Sequence, residues 1–271
     1  MTSGLLVTKH HKLGLVAPSF AAIGWHVSEL QADTDALGTF SGDVDRRHPP
    51  LETARRKALL AAGRPDVRWW FASEGTIGPS LGGLVSDREL VVAIEPRSGG
   101  MVAGAALSLA IVSIRLEVRW STSEEEVVRA CAGADLPRHH LVVSASDRSA
   151  APVGALCDID DVLDVIRQRR RRRRTLVLQT DLRSHLCPSR QPTIRAAAAD
   201  LAARLATPCP ACTRSGFGSI APECGLPCAG CGQPTNEVSV RRRRCPWCMR
   251  VERKPVDQVT ADAARCRWCN P

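Results

Sequence analysis

The sequence predicts an α/β body followed by a small cysteine-rich module, and three observations carry that prediction. Short apolar runs alternate with helix-like stretches through the first two thirds of the chain. Charge divides unevenly: residues 1–165 hold 16 Lys and Arg against 21 Asp and Glu, and residues 166–271 hold 21 against 7, so a body of net −5 joins a part of net +14 in a whole of +9. Cysteine divides the same way, with nine of twelve in the last 63 residues.

The body is justified element by element. Leu5–Thr8 reads as a strand, Leu13–Ile23 as a helix interrupted near Pro18, and Trp25–Leu30 as a second strand, while Gln31–Pro50 is polar, acidic and too irregular for either element. Leu51–Ala62 places Leu51, Ala54, Ala58, Leu59 and Ala62 on one helical face and stops at Gly63. Val67–Ser73 and Leu90–Glu95 are strands, Met101–Trp120 holds one long or two short ones, and His140–Ser146 is another. Ile159–Ile166 is amphipathic, and Thr175–Gln179 is strand-like. Helices alternating with strands imply a mixed sheet. The expected domains are an α/β body over 1–166, an Arg-rich connection with a strand and a helix over 167–207, and a metal-binding module over 208–271.

Composition narrows the function classes. With 44% apolar and 24% charged residues the chain is not mainly disordered. The longest apolar candidate, Val102–Ile114, is too short to span a bilayer, and the N-terminal stretch lacks a cleavable signal pattern, so a cytoplasmic protein without a membrane partner is expected. Aromatic residues make up only 4%, with no Tyr, so platforms for stacking bases are scarce.

Four CxxC pairs stand at Cys209/Cys212, Cys228/Cys231, Cys245/Cys248 and Cys266/Cys269. Two thiolates at i and i+3 on a tight turn can face one ion, and two such turns complete a tetrahedral sulfur shell. All seven His lie at or before His185, so two all-cysteine zinc sites are expected, in a zinc-ribbon-like module. Closed sulfur shells leave no position for water, which makes these zincs structural. Spacing leaves the pairing open: successive pairs could share an ion, or the first could join the third and the second the fourth. Cys224 stands outside the pattern.

Two arginine runs, Arg169–Arg174 and Arg241–Arg244, offer phosphate-binding groups and make nucleic acid a possible partner, although such runs are often only solvated helix ends or linkers. In the body, polar residues gather where elements meet. Lys12 with Thr8 could hold phosphate oxygens at the end of the first strand, and Glu52 and Glu74 could share a magnesium ion.

The segments TKHHK, DTDALGTFSGDVDR, LETARRKA, FASEGTIGP, LVLQTDLRSHL, ATPCPAC, GLPCAGCGQPT and CRWCNP together resemble an uncharacterised bacterial family described only as a domain of unknown function. That resemblance covers nearly the whole chain and implies no activity. Residues 5 to about 79 are also similar, remotely, to the inosine triphosphate pyrophosphatase superfamily, through a threonine-to-lysine loop, an ETARRKA helix and an ASEG turn. This likeness implies Thr8, His10 and Lys12 in a phosphate loop, Glu52 as the metal-binding glutamate, Lys57 as its downstream lysine and Glu74 as the acidic turn. The expectation that follows is a magnesium-dependent nucleotide hydrolase with a structural zinc tail. The alternative is a non-enzymatic protein that binds nucleic acid or another protein through its basic C-terminal part.

Overall fold

A computed structural model describes residues 2–39, 44–64, 66–80, 83–170 and 175–271. The chain divides into two units, Met1–Ala202 and Ala203–Pro271.

In the first unit, β1 (Thr2–Thr8), β2 (Trp25–Gln31), β3 (Trp69–Pro79), β4 (Val85–Ile94) and β5 (Met101–Ser108) form a sheet in the order β2-β1-β3-β4-β5. β1 runs parallel to β2 and β3, and β3, β4 and β5 pair antiparallel, so the sheet is mixed. The parallel strands need crossovers, which α1 (Leu13–Ala21) and α2 (Pro50–Leu59) supply. Successive side chains of a strand point to opposite faces, which puts Phe71 and Ala72 of β3 on different sides. Phe20 of α1 meets Phe71 with ring centroids 4.7 Å apart. Ala54 and Ala58 of α2 pack with Ala72, Val92 and Ile94. The two helices therefore cover opposite faces.

The chain leaves β1 for β2 on one side and returns to β3 on the other. The carboxyl ends of β1 and β3 thus form a topological switch point, where open α/β sheets bind ligands.

A second sheet, in the order β6-β9-β7-β8, is built from β6 (Arg115–Val118), β7 (Leu141–Ala145), β8 (Val153–Leu156) and β9 (Leu176–Thr180), all antiparallel. Helices α3 (Glu124–Gly133) and α4 (Ile159–Arg170) bury Val127, Cys131, Val162, Leu163 and Ile166 against it. α3 opens with a reciprocal capping box between Ser123 and Glu126. The second unit holds β10 (Gly218–Cys224), β11 (Val238–Arg244) and β12 (Val251–Pro255), an antiparallel sheet in that order. No helix among the described residues is long and apolar enough to cross a membrane.

One local expectation changes and two become more definite. The ASEG turn implied around Glu74 is instead continuous strand within β3, because Ser73–Pro79 finds a full antiparallel ladder in Val85–Val91. Met101–Trp120 resolves into β5 and β6, which belong to different sheets. Among the described residues, Gln31–Pro50 includes a 3-10 turn, Thr34–Leu37.

Helix α5 (Gln191–Leu205) approaches β5 closely at Gly104, where a Cβ would lie 2.3 Å from the Leu201 nitrogen and 2.5 Å from the Ala197 oxygen. Backbone atoms of a helix cannot step aside singly. Gly104→Ala should therefore destabilise the first unit by about 1–3 kcal/mol, the usual range for overpacking, read as a lowered denaturation midpoint with an unchanged slope.

Candidate functional site

The cysteine pairs come together as two interleaved tetrads: Cys209, Cys212, Cys245 and Cys248 in one, Cys228, Cys231, Cys266 and Cys269 in the other, with the sulfurs of each within 4.8 Å of one another. Strand pairing imposes this choice. β10 leads from the first CxxC turn to the second and β11 from the second to the third. Antiparallel registration of Gly218 with Arg244 therefore brings the first turn to the third. The second and fourth turns meet through the bridge between Cys228 and Ala261, where Ala229 N–H donates to the Ala261 carbonyl.

The sulfur spacing suits an ion. Sγ atoms lie 3.7 Å apart for Cys209/Cys248, 3.6 Å for Cys212/Cys245, 3.8 Å for Cys228/Cys269 and 3.7 Å for Cys231/Cys266. A tetrahedron with Zn–S bonds of about 2.3 Å has edges of about 3.8 Å. Disulfides, with sulfurs about 2 Å apart, are excluded. The turns are preformed for ligation. Backbone N–H groups of Ala211, Gly230 and Trp247 donate to the sulfurs of Cys209, Cys228 and Cys245. Thr213, Gly232 and Met249, each just after the second cysteine of its pair, take the left-handed conformation that closes such a turn. Phe217 and Trp247 pack on the first tetrad.

Four thiols this close cannot all ionise without a cation. Despite burial, the amides of Cys212 and Ala211 and the neighbouring thiols draw Cys209 down to about 6. The Arg214 amide favours the Cys212 thiolate, but burial and the surrounding sulfurs push that thiol up to about 11. The second tetrad repeats the split. The amides of Trp268 and Cys269 lower Cys266 to about 7, and the Cys231 and Cys228 thiols push Cys269 up to about 12. These two sets can bind metal ions, and their donor type and geometry suit zinc. Cys224 and Cys157 are exposed and belong to neither tetrad.

The body residues singled out from the sequence have different fates. Thr8, His10, Lys12, Lys57 and Glu74 line one cleft at the β1/β3 switch point, together with Ser73, Gly75, Asp35, Arg183, Ser184 and Arg190. Glu52 does not line it. Its carboxylate lies on the exposed side of α2, 2.8 Å from Arg56 and 3.7 Å from Arg55, and the Arg56 hydrogen bond holds its pKa below the usual carboxylate range. Glu74 is buried and already neutralised, 2.6 Å from Lys57 and 3.3 Å from Arg46. The carboxylate pair expected to share magnesium is therefore not assembled. An N-terminal helix turn can face solvent as readily as the strand ends, and sequence spacing does not decide between them.

The cleft has a floor that sequence reading missed. Arg190, 1% exposed, donates to Glu89, itself fully buried, and to the Leu182 carbonyl. Gly75 lies over this pair, where a Cβ would sit 2.3 Å from the Arg190 guanidinium and 2.7 Å from the Glu89 carboxylate. Asp87, two residues before Glu89 on the same strand face, has its pKa pushed up to about 7 by burial and by Glu89. The only sequence signal is the Asp-x-Glu alternation that precedes the apolar run Leu90–Ile94.

Lys12 is partly buried and donates to Ser73 Oγ at 3.0 Å, and no carboxylate lies within 4.0 Å of its ammonium among the described residues. Burial, with Arg190 and Lys57, lowers its pKa to about 8 against the attraction of Glu89 and Glu74. Ser184 Oγ is buried without a hydrogen-bond partner in the same cleft. At the mouth His10 stacks on His185, ring centroids 5.2 Å apart, and Asp35 accepts from both Lys9 and His10. The space is about 40 Å³, enough for one small anion or a few waters and far below the roughly 300–1,000 Å³ of a drug-sized site.

Of the arginine runs, Arg241–Arg244 is the core of β11. Arg242 reaches Glu223 at 3.4 Å, and Arg243 pairs with Glu252 and stacks on Phe217. Arg169 and Arg170 donate to the carbonyls of Ala151, Arg119 and Thr122, while 171–174 lie outside the described residues.

Metal analysis of protein purified without added zinc should give two zinc per chain. Cys245→Ser should reduce this to one and unfold the second unit's first turn while circular dichroism of the α/β unit persists. One zinc in the parent, or significant iron, would contradict the assignment.

No curated protein and no solved structure matches the chain, so the likeness to the inosine triphosphate pyrophosphatase superfamily has no support from them. A family model described as a domain of unknown function, DUF6671, matches residues 58–271, which takes in both tetrads and the cleft residues Ser73, Glu74, Gly75, Arg183, Ser184 and Arg190. With well over half of its length matched, the chain belongs to the DUF6671 family.

Proposed function

We propose that the first unit binds a phosphate-bearing ligand, whose phosphate group enters the switch-point cleft. The observation that carries this reading is Lys12, a partly buried ammonium with no carboxylate within 4.0 Å among the described residues, which donates to Ser73 in the middle of β3. An enclosed charge without a partner is costly, and an anion would relieve it. The unpaired Ser184 hydroxyl and the Arg183 and Arg190 side chains lining the same space supply further donors. Because the space holds only a group of phosphate size, the remainder of the ligand lies outside, against the stacked His10 and His185 rings.

Hydrolysis of that ligand would need a metal held by carboxylates, and Glu74 alone, committed to Lys57 and Arg46, is a poor basis for it. Binding without hydrolysis is the reading favoured. A panel of nucleoside triphosphates with magnesium tests the catalytic alternative: release of phosphate or pyrophosphate that disappears in Glu74→Gln would establish it.

Calorimetric titration with ribose 5-phosphate checks the binding claim. Lys12→Met should weaken affinity roughly 10- to 150-fold, the value of one charge-assisted hydrogen bond, while Glu52→Gln leaves it unchanged. Equal affinity in parent and Lys12→Met would end this reading. The pH dependence has a definite sign. Lys12 must be protonated to attract an anion, and its pKa is lowered to about 8, so affinity is full below that value and falls as pH rises through it. A phosphate monoester loses its second proton near pH 6 and adds no further change above pH 7.

A further inference from the structure

The second unit repeats one sequence feature in two environments. The third and fourth CxxC turns read Cys245-Pro-Trp-Cys248 and Cys266-Arg-Trp-Cys269, with tryptophan at the same position. Trp247 is used inside the unit: its indole N–H donates to the Ser215 carbonyl, Arg214 lies 3.6 Å over its ring, and it packs on the first tetrad. Trp268 is 62% exposed, with the Arg267 guanidinium 5.1 Å from its ring. A tryptophan left outside has a face free for stacking.

An independent observation concerns charge. In the β11/β12 ladder Arg241 stands opposite Lys254 and Arg242 opposite Arg253, and like charges facing each other across a sheet are unfavourable. Glu223 resolves the second pair by contacting both arginines. Neither Arg241 nor Lys254 has a carboxylate within 4.0 Å among the described residues, and both are exposed. From residue 203 to 271 there are 11 Lys and Arg against 5 Asp and Glu, and three of those five, Glu223, Glu237 and Glu252, are engaged with arginines.

From these features we infer that the second unit binds single-stranded nucleic acid, with a base stacked on Trp268 and a backbone phosphate taken by Arg241 and Lys254. Stacking of bases on exposed aromatic rings combined with cationic groups that take the backbone phosphates is how sequence-tolerant single-strand binding works. An anion between the two cations would also remove the repulsion that nothing else in the unit neutralises.

The test uses the full chain with two zinc per molecule and a fluorescein-labelled oligothymidine of about a dozen nucleotides, followed by anisotropy over a salt series. Trp268→Ala should weaken binding roughly 5- to 150-fold, and Trp268→Phe should retain most of it. Trp120→Ala, which removes a still more exposed indole from the other unit, should change nothing. Changing Arg241 and Lys254 together to Ser should lower the slope of log affinity against log salt by about 1.4, two phosphate contacts at about 0.7 each. If Trp268→Ala loses zinc, the Phe and Arg241/Lys254 variants decide alone. Unchanged affinity in Trp268→Ala, an unchanged salt slope in the double variant, or no binding at about 50 mM salt would each overturn the inference. The last result would leave Trp268 to a protein partner.

Discussion

A guanidinium with almost no access to water must be neutralised where it lies, and the first unit is arranged around one. Arg190 takes Glu89 from β4 and the Leu182 carbonyl from the segment after β9, so it ties the five-stranded sheet to the chain that leaves the four-stranded one. Removing one member of such a pair typically costs about 3–5 kcal/mol, because the other remains charged and buried. Its neighbours follow from it. Gly75 must be glycine for β3 to pass over the pair, and Asp87 gives up part of its acidity beside Glu89. Lys12 is drawn by Glu89 and repelled by Arg190.

The second unit rests on a different constraint. Its three strands bury few side chains: β12 is exposed along its whole length, and β10 and β11 are exposed or half-buried apart from Gly218. A unit of this size cannot hold itself together by apolar burial alone. Metal ligation by the two tetrads, one at each end of the sheet, would substitute for the missing core. The antiparallel ladder and the interleaved pairing require each other, since a ladder that joins β10 to β11 places the first CxxC turn beside the third.

Charge in this chain is structural before it is functional. Two of the four residues in Arg241–Arg244, Arg242 and Arg243, are absorbed by Glu223, Glu252 and Phe217, and Arg169 and Arg170 donate to backbone carbonyls at the end of α4. What remains available is set by cross-strand register. Arg242 and Arg243 find partners while Arg241, in the same run, faces Lys254.

The sequence by itself determined the α/β class and the cysteine-rich module with two all-cysteine sites. Those features are local: periodicity and CxxC spacing act over a few residues. Tertiary structure decided which pairs of cysteines meet, because that depends on strand register across more than thirty residues. It also excluded Glu52 from the cleft, since the direction of a side chain on α2 depends on how that helix packs on β3 and β4. Arg190 and Ser184 reach the cleft from about 180 residues beyond Thr8, a proximity created by the route of the chain through two sheets and carried by no motif.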